Sequence, residues 1–164
     1  MAMETVDMNH QSNNINRKIA DIMLGVIDKN PRILKFDPKI RENIDDGYRP
    51  YMLIATATAC NEELNNILEE VKGTSLETII TYSVNRLKIV SDAIMAYYPT
   101  RSELMVIQTT VENMFSKETW TALDIIGYCM PSSDLIRARN ILAMLALINE
   151  IEVIRETIDN VVSK

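Results

Sequence analysis

Apolar residues crowd together late in the chain. Ile141, Leu142, Ala143, Met144, Leu145, Ala146, Leu147 and Ile148 run without interruption, and Gly and Pro are absent from Ser133 to Lys164. A helix that is apolar on every side must be enclosed by other elements. The pattern predicts a long C-terminal helix over about 134–162, capped by Ser133, with Leu142, Leu145 and Ile148 in the core.

Upstream, the apolar spacing is helical but one-sided. Ile15, Ile19, Ile22, Met23, Val26 and Ile27 mark a first helix over 14–29, ended by Pro31. Asp37-Pro38 signals the start of a short helix that stops at Gly47. Pro50 opens a third helix reaching Lys72, with Ile54, Ala57, Leu64, Ile67, Leu68 and Val71 on one face. The alternation of Ala and Thr over 55–59 also suits a short strand, and the longer helical spacing decides against it.

Thr74 and Glu77 match a capping box. The helix behind them carries Leu76, Ile80, Ser83, Leu87, Val90, Ile94 and Tyr97, a seven-residue repeat. Its expected role is a core stripe within one chain; an intermolecular coiled coil is the alternative. Pro99 ends it, and Thr100 to Glu103 form a second box opening a helix to about Phe115. Ser116 then caps a segment holding Trp120, Leu123, Ile126 and Tyr128. The expected fold class is an all-α, single-domain bundle of six to seven helices around a buried C-terminal helix. Residues 14–164 form that domain, and residues 1–13, polar and without period, form a disordered tail.

Composition supports helices. The 164 residues include four Gly and five Pro, too few for many hairpin turns, and ten Met that serve as core filler. Cys60 and Cys129 have no metal-like spacing and read as two buried reduced thiols. With no apolar leader core and no apolar run of membrane length, a cytoplasmic protein without membrane contact is expected.

The net charge of -6 disfavours general polyanion binding, but the charge is uneven. Arg17, Lys18, Lys29, Arg32, Lys35, Lys39 and Arg41 face only Asp21, Asp28 and Asp37 over 17–41, whereas 62–77 holds five acids and Lys72. Those seven cations are the candidate polyanion contacts. Without interleaved aromatics, nucleic acid is not the favoured partner.

Catalytic chemistry finds little material. His10, the single histidine, lies in the tail, and no Gly-rich phosphate loop occurs. Glu62, Glu63, Glu69 and Glu70 repeat at seven-residue spacing on one helix. This resembles, in part, the all-α nucleotide pyrophosphohydrolases, which carry Glu-Glu-x-x-Glu and a later Glu-x-x-Asp. Here Asn66 stands in the third position, and Ile89 precedes Asp92 where Glu is needed. A solvated acidic face, with no metal and no cofactor, is therefore expected. Arg137 and Arg139, early in the last helix, are expected to pair with acids on another helix or on another chain.

The leading reading is a non-enzymatic interaction protein that self-associates or binds another protein. Its expected interface is Ile15, Ile19, Ile22, Met23 and Val26, on the assumption that the first helix is surplus to the core. A ribonucleoprotein subunit and a degenerate Mg²⁺-dependent enzyme of the pyrophosphohydrolase type are the alternatives.

Overall fold

The structure, a computed structural model, describes the backbone of residues 2–96 and 98–162 and the side chains of 16–96 and 98–161. It is an all-α single-domain bundle with eight helices and no strand among the described residues. They are α1 (Ala2–Lys29), α2 (Ile33–Phe36), α3 (Ile40–Asp45), α4 (Pro50–Val71), α5 (Glu77–Met95), α6 (Arg101–Met114), α7 (Lys117–Gly127) and α8 (Ser132–Val162).

The C-terminal helix α8 is the axis. Every residue from Asn140 to Asn149 is buried, as the all-round apolar run requires. Around it stand α1, α2, α4, α5, α6 and α7. The helix begins at Ser132, so Ser133 lies inside it and is not its cap; the first turn closes instead through the Asp134 and Leu135 amides on the Pro131 carbonyl.

Helices α4 and α5 pair with each other and against α8. The α4 core face is Leu53, Ala57, Cys60, Leu64, Ile67 and Val71. Ile54 sits off that face and is partly exposed. The α5 stripe is intramolecular: Ile80, Leu87, Val90 and Ile94 are buried in the chain's own core, with Val84 buried in place of the expected Ser83, which, like Leu76, is half-buried. Tyr97, at the end of that repeat, lies outside the described residues.

The two Thr-x-x-Glu boxes diverge. Thr100 and Glu103 cap each other reciprocally at the start of α6. Thr74 does not. Its hydroxyl donates back to the Val71 carbonyl at 2.6 Å, and Glu77 accepts from the Gly73 amide at 3.1 Å. Gly73, with φ +78, has already ended α4, and α5 starts at Glu77 itself. Ser116 precedes α7 without a side-chain cap.

The eighth helix, unforeseen by the periodicity, is α2. One turn has no period to read. It forms because the Ile33 and Leu34 amides bond the Asn30 and Pro31 carbonyls, which buries Ile33, and it stops where Asp37 is extended before Pro38. Asp37 then accepts the Lys39 amide at 3.2 Å ahead of α3. At the far end of α3, Gly47 (φ +92) bonds the Ile44 carbonyl and Tyr48 bonds the Asn43 carbonyl, a Schellman closure.

At the N-terminus α1 starts at Ala2, so no break in the helix marks the expected boundary at residue 14. No Gly or Pro precedes Gly25. The side chains of residues 1–15, including His10 and Ile15, lie outside the described residues. No helix is long and apolar enough to cross a membrane among the described residues.

Candidate functional site

The α1 row is not free. Ile19, Met23, Val26 and Ile27 are buried within the chain, where α1 packs on α3, α7 and α8. Ile22 is half-buried and lines a groove between α1 and α7. The assumption of a surplus first helix therefore fails in this fold: α8 and α7 expose an apolar face at that end, and α1 covers it.

The basic layer is largely stitched into the same end. Arg17 donates to Asp21 at 2.8 Å and to Asp45 of α3 at 3.1 Å. Arg32 and Lys35 both reach Glu156 of α8, and Arg41 pairs with Asp28. Lys18, Lys29 and Lys39 are exposed and make no ion pair among the described residues. Arg32, Lys35 and Lys29 border one open depression, together with Glu156. Four of the seven cations thus already have a carboxylate, which lowers the charge left for a polyanion.

The acidic stripe divides in two. Glu63 and Glu70 both pair with Arg155 of α8, while Glu62 and Glu69 face solvent. The charge that gathers the first two carboxylates is a guanidinium from a distant part of the chain. No group of three or more His, Cys, Asp or Glu that could hold a metal occurs among the described residues.

Trp120 is core. It is buried under the Arg139 guanidinium, 5.5 Å from the ring centroid, and Arg139 also donates to Asp124 of α7 at 2.7 Å. Arg139 therefore pairs across helices of its own chain, whereas Arg137 makes no ion pair among the described residues. Cys60 is buried, whereas Cys129 is exposed beyond the end of α7, so the expectation of two buried thiols holds for one. The short segment after Gly127 has no further helical turn to cover Cys129. Tyr98 is also exposed.

Three features escaped the sequence reading. The first is an apolar surface on α5: Ile79 is 70% exposed, Tyr82 68% and Ile89 44%. They flank Arg86 on the side away from the core stripe, and the only signal for them was that they fall between core positions. The second is a cavity of about 250 Å³ between α5, α6 and α8, lined by Tyr82, Ser83, Arg86, Thr110, Asn113 and Glu150 among others. Burial pushes the Glu150 carboxyl above its ordinary range, against the opposing charge of Arg32. The third is a cavity of about 300 Å³ between α1, the α3–α4 turn and α8, which contains Arg49 and Arg137. Neither cavity is local in sequence, so no motif could announce it. No protein-family model, curated protein or solved structure matches this chain.

Proposed function

We propose that the chain is a non-enzymatic cytoplasmic assembly protein that self-associates through α5. The observation that supports this reading is the exposed apolar set Ile79, Tyr82 and Ile89 on one side of that helix. Large apolar side chains grouped on a surface cost free energy in water and mark contact sites.

The set is self-complementary. Tyr82 and Ile89 are seven residues apart, two helical turns, and so lie one above the other. Two copies of α5 packed antiparallel about a two-fold axis near Asn85 and Arg86 place each Tyr82 on the partner's Ile89, twice per dimer. Ile79 then meets the partner's Asp92 end. Arg86 keeps its charge at the rim while its stem covers apolar surface. A contact of this kind must bury more than about 1,000 Å² to be stable.

The test is light scattering across a wide concentration range. The expected mass is twice the 18.7 kDa of one chain at high concentration. Tyr82→Glu returns it to one chain, and at a concentration where the parent is also a single chain the melting temperature is unchanged, because Tyr82 is largely outside the core. A single-chain mass at every concentration rejects the reading. A dimer that survives Tyr82→Glu rejects the location.

A further inference from the structure

We propose that the open cleft between α1, the α3–α4 turn and α8 binds a small anion that carries an apolar body. Its volume of about 300 Å³ is at the lower end of ligand pockets. The apolar wall is Ile19, Met23, Ile44 and Ile141. Arg49 and Arg137 line the same space. Neither makes an ion pair among the described residues, although most other arginines of this chain do. Arg137 is half-buried and Arg49 is exposed, and Asp46 is the one carboxylate that lines the same space, so the lining carries a net positive charge. An anion in the cleft balances that charge.

The surroundings are built to hold shape. Arg49 is the cap of the 22-residue α4 and Pro50 follows it, so the backbone that carries this guanidinium is fixed at a helix start. The rim is the Schellman turn, where Tyr48 sits at φ +23, a strained value for a residue other than Gly. The buried Tyr48 hydroxyl, on Thr56 at 2.7 Å and Met144 at 3.3 Å, pins that turn to α4 and α8. Asp46, on the same rim, opposes an anion and tunes the affinity downward. The site therefore fits one negative group against Arg49 and Arg137 and a short chain or ring against the apolar wall.

The experiment is a titration of the full chain with hexanoate, hexyl phosphate and hexanol, followed by ligand-observed NMR. Saturable binding of hexanoate or hexyl phosphate, with hexanol at least about tenfold weaker, is the expected result, and the better of the two anions identifies the head group as carboxylate or phosphate. Joint Arg49→Gln and Arg137→Gln substitution weakens that anion about tenfold or more, and Asp46→Asn tightens it. The melting temperature without ligand confirms that each variant is folded. Absence of saturable binding by both anions overturns the proposal. So does binding that is indifferent to charge, whether through equal affinity for hexanol or through unchanged affinity in the double variant.

Discussion

The Ser91 hydroxyl donates to the Ala57 carbonyl at 3.1 Å, joining the middle of α5 to the middle of α4. Both residues are buried and small, which lets the two helix backbones approach. Ser91→Ala removes one buried hydrogen bond and is expected to cost about 1 kcal/mol. Ser91→Leu forces the helices apart and is expected to cost about 1–3 kcal/mol. Urea denaturation measures both, and a Leu variant as stable as the parent contradicts the close approach.

Leu145 is fully buried at the centre of α8. Leu145→Ala deletes core volume against helices on several sides and is expected to lower stability by about 2–5 kcal/mol. An unchanged denaturation midpoint contradicts the central position of this helix.

Glu150 gives a pH signature. Burial raises its folded-state pKa above the ordinary 4.5, so the folded chain holds this proton more tightly than the unfolded chain does. The associated stability is fully present below the unfolded value and is lost as pH rises through the folded one. Glu150→Gln, neutral at all pH, is therefore expected to melt higher than the parent at pH 7. The gap closes as pH falls below 4.5. A gap that widens on acidification reverses the sign and removes the argument.

The two thiols should separate kinetically. Cys129 is exposed and Cys60 is buried, where burial also pushes its pKa up and suppresses the reactive thiolate. A chromogenic disulfide reagent is expected to modify one thiol per chain quickly and the second only on unfolding. Two fast thiols place Cys60 at the surface; Cys129→Ser should remove the fast phase alone.

The fold class and the central helix were readable because they rest on local patterns that burial obeys directly. A run such as Ile141–Ile148 has no polar side to show to water, and the α5 repeat buries the same face at each turn. Capping was readable only where nothing competed. Thr74-x-x-Glu77 and Thr100-x-x-Glu103 share a pattern, but a chain reversal at Gly73 lies directly against the first and draws both side chains backward. The expected interface on α1 failed for a deeper reason. An amphipathic helix looks the same whether its apolar side meets its own chain or another, and Ile19, Met23 and Val26 are buried within their own chain. Glu62-Glu63 and Glu69-Glu70 were visible as an acidic stripe, but Arg155, which draws Glu63 and Glu70 out of it, is 85–92 residues away. The cavity beside Arg49 and Arg137 joins three separate parts of the chain and has no local signature at all.

The order of synthesis gives α8 a further role. The helix on which the others bury their apolar faces is the last of the eight to be made. Helices α1 to α7 leave the ribosome before that surface exists. At about 5–20 residues per second, α4 and α5 wait several seconds with Leu53, Leu64, Val84 and Leu87 short of a partner. Local pairing of α4 with α5, locked at Ser91 and Ala57, gives the nascent chain an early shelter. Completion comes only when Leu142 to Ile151 emerge, so closure of the core waits on the synthesis of α8.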